Sequence, residues 1–218
     1  MYYMIGKGLK RITIFFVFIA IGLFALYMYF MVNYPLSYQM LIKKYSDEFN
    51  VDPYLIAAII NVESKYDKNA ISKKDARGLM QISPITGKWA SEELNIDDFD
   101  VEDLFDPELN IMIGCWYLSI LSQEFDNNLP LMLAAYNAGS GNVVKWLQDE
   151  KYSDDGESLK DIPFAETKDY VKKVQRNISI YRVLYEDEFA YEIPSRENYM
   201  VLFVNNFRRV VKNFVIYK

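Results

Sequence analysis

Histidine is absent from all 218 residues of this chain, and cysteine occurs once, at Cys115. The first absence removes Ser-His-Asp triads, Cys-His pairs and the usual histidine-rich zinc sites. The second removes any disulfide within the chain, so the fold must be held by its core alone. Carboxylates are left as the proton carriers. A surplus of positive charge is missing too: 24 basic residues stand against 30 acidic, and setting aside Lys7, Lys10 and Arg11 leaves 21 against 30, a net of −9. So acidic a domain is not a nucleic-acid binder. The acids concentrate between Glu92 and Glu108, a stretch without Lys or Arg. A calcium loop there would need Asp-x-Asp-x-Asp-Gly spacing and its glycine, neither of which is present, so the stretch reads as a solvated acidic loop. Internal repeats and low-complexity linkers are also missing.

What the chain has is hydrophobic content, 51% of its residues, enough for one core of ordinary size once an N-terminal segment is set aside. Ile12 to Val32 is an uncharged run of 21 residues. At ~1.5 Å per helical residue it is long enough to cross a ~30 Å hydrocarbon layer. Residues 1–11 form a basic flank, with Lys7, Lys10 and Arg11, that the positive-inside rule holds in the cytoplasm. Residues 12–32 are then a single-pass anchor in the cell membrane, and the rest of the chain lies outside it. A cleaved signal peptide is the competing reading. The apolar stretch exceeds the ~7–15 residues of a typical signal core, and no convincing A-x-A site follows. Residues 33–36 read as a short joint to the domain beyond.

That domain reads as mostly α. Asp52-Pro53, Ser83-Pro84 and Asp106-Pro107 each place a capping side chain before a proline suited to a first helical turn. Further helices are expected over Ser37–Phe49, Leu131–Tyr136, Asn142–Gln148 and Thr167–Tyr185. In the last of these Tyr170, Val171, Val174, Ile178, Tyr181 and Leu184 recur at helical spacing. Lys65 to Arg77 lacks a helical period and reads as an irregular or short β-hairpin excursion that returns Gln81 toward Glu63. Glu63 itself closes the apolar run Tyr54–Val62. A carboxyl ending so hydrophobic a helix is partly desolvated, which raises its pKa toward that of a usable general acid.

Five ordered blocks carry a family likeness: Glu63-Ser64 with Ser72; Ala76-Arg-Gly-Leu-Met-Gln-Ile82; Asp106-Pro107 with Asn110-Ile111 and Gly114; Ala135-Tyr-Asn-Ala-Gly139 with Gly141-Asn-Val143; and Ile162-Pro-Phe-Ala-Glu-Thr167 with Tyr170-Val171. Together they resemble the lytic transglycosylases of the soluble transglycosylase type over roughly residues 37–185. The resemblance implies a lysozyme-like fold of the α+β superfamily. It implies cleavage of the β-1,4 bond between N-acetylmuramic acid and N-acetylglucosamine in peptidoglycan, leaving a 1,6-anhydromuramoyl end and requiring no cofactor and no metal. Glu63 matches the catalytic acid, which protonates the glycosidic oxygen and later takes the proton of the C6 hydroxyl. Ser72 and Gln81 match side chains around the reacting sugar, Tyr136 and Asn137 the family's Tyr-Asn pair, Tyr170 the tyrosine of its last motif, and Met80 an apolar wall of the cleft. By themselves Tyr136 would pass for core and Asn137 for a helix-ending residue. Ser64 is expected to satisfy local backbone.

Asp75 departs from the pattern, standing where the family commonly has a small residue. Goose-type lysozymes, which hydrolyse the same bond, carry an acid near this place, so Asp75 keeps a hydrolase reading open beside the simpler one of surface charge next to Lys73 and Lys74. A non-catalytic wall-binding or scaffolding protein retaining the fold is the reading from another class. Cys115 is expected to be a small buried residue. Trp89, Trp116 and Trp146 could stack on sugar rings or fill the core. In the extension 186–218, Met200, Phe203, Val204, Phe207, Val210, Val211 and Phe214 fall at helical spacing beside Arg208, Arg209 and Lys212. Packing on the domain and lying on the membrane are both compatible with that pattern.

Overall fold

The structure, a computed structural model, describes residues 2–186, 188–189 and 203–205, with side chains from Lys10 onward. The chain divides into two units, Met1–Pro35 and Leu36–Lys218. The first is one helix, α1 (Tyr2–Asn33), which takes in the basic flank as well as the apolar run. Its stretch Lys10–Asn33 is long and apolar enough to cross a membrane, and most of its apolar side chains are exposed.

The second unit contains α2 (Gln39–Phe49), α3 (Pro53–Glu63), α4 (Pro84–Glu93), a 3-10 turn (Val101–Phe105), α5 (Pro107–Glu124), α6 (Leu129–Ala138), α7 (Ser140–Leu147) and α8 (Ala165–Leu184). The three cap-and-proline dipeptides each open a helix. Asp52 accepts the Tyr54 N–H, Ser83 the Thr86 N–H and Asp106 the Leu109 N–H, satisfying donors that a helix start leaves unpaired. α6 begins two residues earlier than the expected Leu131, because Asn128 caps it and Pro130 fits its first turn.

α3 is the centre of the unit. Leu55 through Asn61 are all buried, which is why the segment is apolar around its whole circumference rather than on one stripe. α8 packs along it and also against α6, while α2 pairs with α5. The residues of α8 marked by spacing, Tyr170, Val171, Val174, Ile178 and Tyr181, are buried, and Leu184 is half-buried.

The excursion after Glu63 takes the irregular form of the two expected: among the described residues it holds two isolated antiparallel bridges, Ile71 with Arg77 and Arg77 with Ile82. One expectation needs correction: the acidic stretch is not wholly a solvated loop. Asp100 and Asp103 form a reciprocal capping box on the 3-10 turn, which buries Leu104, and Glu102 pairs with Arg77 at 2.6 Å. The expected amphipathic helix of the C-terminal extension lies largely outside the described residues.

Candidate active site

Glu63 is the last residue of α3, where the unpaired carbonyls of the helix make a locally negative pole that disfavours a carboxylate. Its side chain is half-buried, so it retains access to solvent. Burial pushes its pKa up to about 7; the Tyr170 hydroxyl pulls it down somewhat, and the charge of Glu166 pushes it up. Tyr170 is buried, and among the described residues its hydroxyl has no partner meeting full hydrogen-bond geometry, although it is close enough to act on the Glu63 carboxyl. Tyr136 feels the charge of Glu63, with no hydrogen bond between them. Burial and the nearby acid hold both phenols well above their ordinary pKa, so both remain neutral donors.

The arrangement of the other expected residues follows from the loop between α3 and α4. The Tyr136 hydroxyl donates to the Met80 carbonyl at 2.9 Å, tying that loop to α6. Met80 is not the apolar cleft wall that the resemblance implied. Its side chain is 0% exposed and fills the space above Gly114, where an added Cβ would stand 2.2 Å from its sulfur. Gln81 Nε2 donates to the Ala70 and Gly78 carbonyls at 3.1 and 2.9 Å, so its amide nitrogen closes the loop. The Ser72 hydroxyl accepts the Lys74 and Ala76 N–H groups at 3.1 and 3.0 Å, holding the turn between them. Asn137 Oδ1 accepts the Thr167 hydroxyl at 2.7 Å, linking α6 to the start of α8. The structure thus brings Glu63, Tyr136 and Tyr170 together, adds Asn137 through its bond to the start of α8, and ties the loop beside Gln81 to α6 through the Met80–Tyr136 link, while the Ser72 hydroxyl holds a turn of its own within that loop.

Ser64 donates its hydroxyl to the Ile60 carbonyl, a purely local bond, as expected. Asp75 is exposed and its carboxylate pairs with Arg77 at 3.1 Å. Its φ of +63° explains why a small residue suits this place, since glycine occupies that region without steric cost. Cys115 is 0% exposed and its thiol is pushed far up by burial, which leaves it inert. Trp116 and Trp146 are core; Trp89 is 40% exposed and stands edge-on to Trp116, with ring centroids 4.7 Å apart.

Two residues had no role assigned from sequence. Asn110, fully buried, accepts the Met80 N–H at 2.7 Å and donates to the Arg77 and Leu104 carbonyls at 2.9 and 2.8 Å. It thereby fixes the loop whose Gly78, at φ +76°, lies too close to Leu104 and Asn110 for any Cβ. Glu166 lies in the first turn of α8 and acts on Glu63 through its charge. Both sit inside the quoted blocks, but their partners are distant in sequence. A cavity of about 420 Å³ opens elsewhere, beside Asp52, Leu55 and Arg182. Asp52 and Glu63 stand at opposite ends of α3, ~16 Å apart at ~1.5 Å per residue, so this cavity is not the place of the acid.

The model of the transglycosylase SLT domain matches residues 40–159, more than half of the chain. The chain belongs to that family. It is 36% identical over 158 residues to the soluble lytic murein transglycosylase of Escherichia coli K12, covering 72% of this chain and 24% of that protein. It is 29% identical over 178 residues to the membrane-bound lytic murein transglycosylase C of Edwardsiella ictaluri, covering 67% and 46%. Its backbone matches the crystal structure of the 70 kDa soluble lytic transglycosylase of Escherichia coli with a TM-score of 0.63 and 34% identity, over 72% of this chain and 26% of that one. The fold is therefore the lysozyme-like one of that enzyme, and the chain spans about a quarter of the Escherichia coli protein's length.

Proposed function

We propose that this chain is a membrane-tethered lytic transglycosylase of peptidoglycan. Glu63, protonated near neutrality, gives its proton to the oxygen between N-acetylmuramic acid and N-acetylglucosamine, and the C1–O bond breaks. The substrate's own acetamide oxygen attacks C1 and carries the positive charge that develops there. Glu63, now a carboxylate, takes the C6 hydroxyl proton as that oxygen displaces the acetamide from C1, closing a 1,6-anhydro ring. Both transfers use one carboxylate, so no second acid and no water are consumed. The observation that carries this reading is a single half-buried carboxyl with its pKa raised to about 7, flanked by two neutral phenols. Tyr170 would orient the carboxyl, while the Gln81 carbonyl, Ser72 and Asn137 would hold the acetamide and neighbouring hydroxyls. Lys7, Lys10 and Arg11 before the apolar run would keep the N-terminus in the cytoplasm and the catalytic unit outside, within reach of the wall.

Hydrolysis of the goose-lysozyme kind needs a second carboxylate to direct water, and the pairing of exposed Asp75 with Arg77 weighs against it. The test is mass spectrometry of fragments released from purified peptidoglycan by the full chain, with Glu63→Gln as control. Anhydromuramoyl ends made only by the unaltered protein are expected. Reducing muramic ends would make it a hydrolase, and no product from a folded protein would favour a wall-binding role.

A further inference from the structure

The helix that presents Glu63 is gripped at both ends by chain that follows α8, beyond the region matched by the family model. At its N-terminal end the Tyr54 hydroxyl, as donor, lies 3.0 and 2.7 Å from the Tyr185 and Glu186 carbonyls. The buried ring of Phe189 meets that of Tyr54 edge-on at 5.2 Å. At its C-terminal end, two residues past Glu63, Asn205 Nδ2 donates to the Lys65 carbonyl at 3.3 Å, and Asn205 is only 8% exposed.

The group that Asn205 holds belongs to a strained turn. Lys65 and Tyr66 have φ of +55° and +64°, two consecutive residues in the left-handed region, and neither is of a type that enters it readily. Such backbone persists only where its surroundings over-determine it. α3 supplies two holds: Lys65 Nζ donates to Asn61 Oδ1 at 3.0 Å, and the buried Tyr66 hydroxyl donates to the Ala57 carbonyl at 3.3 Å. Asn205 supplies a hold on the backbone itself, from 140 residues away. The turn ends α3, since the Ser64 N–H still bonds to the Ile60 carbonyl while the Asp67 N–H already bonds to that of Ser64. If it relaxes, the last turn of α3 frays and the Glu63 side chain swings toward water.

We propose that Asn205 is a positioning residue for the reaction, and that Tyr185, Glu186, Phe189 and Asn205 together act as a brace which keeps the acid-bearing end of α3 closed. The proposal rests on Glu63 being the proton donor proposed above. In the full membrane-anchored chain in detergent, Asn205→Ala is expected to lower kcat on peptidoglycan at least fivefold at unchanged KM. Fraying would undo burial, so the alkaline limb of the pH profile, set by Glu63 with Tyr136, Tyr170 and Glu166 around it, is expected to move to lower pH. Adding Lys65→Gly, which makes the left-handed turn easy, should restore more than half of the lost turnover. Amide hydrogen exchange at residues 64–66 reads the brace without any activity and should speed up at least tenfold in Asn205→Ala. Unchanged exchange would overturn the brace even if the unaltered protein proved inactive, an outcome that by itself would sink the lyase reading instead. Lost turnover with an unmoved pH limb and no rescue by Lys65→Gly would reduce Asn205 to a packing residue and refute the proposal. Should Asn205→Ala fail to fold, Asn205→Asp, of equal size but without the N–H donor, is judged by the same criteria.

Discussion

Removing the charge of Glu63 while keeping its shape separates its cost to the fold from its use. Below about pH 4.5, its ordinary value, the carboxyl is protonated in both folded and unfolded chains and contributes no difference. As pH rises toward 7 the unfolded chain releases its proton first, so folded stability falls, and above about 7 the penalty is complete. A pKa raised from 4.5 to about 7 corresponds to about 3 kcal/mol. Glu63→Gln is never ionised, so it is expected to be more stable than the unaltered chain by up to that amount at pH 8 and about equally stable at pH 4. For a domain of this size that is a rise in Tm of roughly 6–12 °C at pH 8. Thermal unfolding followed by circular dichroism at the two pH values measures it, and peptidoglycan release should be abolished at both. Equal melting of the two proteins at pH 8 would refute the reasoning, because the carboxyl would then not be desolvated in the fold.

The neighbours of Glu63 should move the alkaline limb of kcat/KM in opposite directions: Tyr170→Phe removes a group that favours the carboxylate and shifts the limb up, whereas Glu166→Gln removes a repelling charge and shifts it down, both readable from pH–rate profiles. Asn110→Ala leaves the Met80 N–H and the Arg77 and Leu104 carbonyls without their partner. It should cost about 2–4 kcal/mol in denaturant unfolding, together with most of the activity, because the loop that carries Gln81 loses its pin. Asp75→Gly gives up an exposed ion pair with Arg77 but relieves a left-handed backbone, so Tm should change by less than about 3 °C and the released ends should stay anhydromuramoyl.

Local chemistry made the helix starts legible. Asp52, Ser83 and Asp106 each combine a cap with the proline it precedes, and each cap is made. Asn128 follows the same logic with Leu129 interposed before Pro130, and that one residue hid it. The 3-10 turn was masked by its own acids, because its buried contribution is a single residue, Leu104. Glu63 was legible as an acid because the apolar run before it implies burial wherever that helix goes. Met80 was not legible as core, because the space it fills is the missing side chain of Gly114, 34 positions away. Nor was the role of Asn110: a lone buried asparagine becomes a pin only when two backbone groups of a distant loop and the Leu104 carbonyl arrive around it. Asp75 was ambiguous because its partner, Arg77, and its backbone angle are both properties of the folded turn.

The burial of α3 on every side has a consequence for how this segment can change. Apolar residues in Leu55–Ile60 can be exchanged for others of similar volume, because the surrounding helices ask only for shape. Their number cannot change. One residue inserted between Asp52 and Glu63 would turn the carboxyl by about 100° and advance it by about 1.5 Å, aiming it into a neighbouring helix or away from both phenols. Length, more than composition, is therefore the conserved quantity to expect between the Asp52 cap and Glu63, and an insertion or deletion there is the most economical way to misplace the carboxyl while leaving every side chain of the proposed site in the sequence.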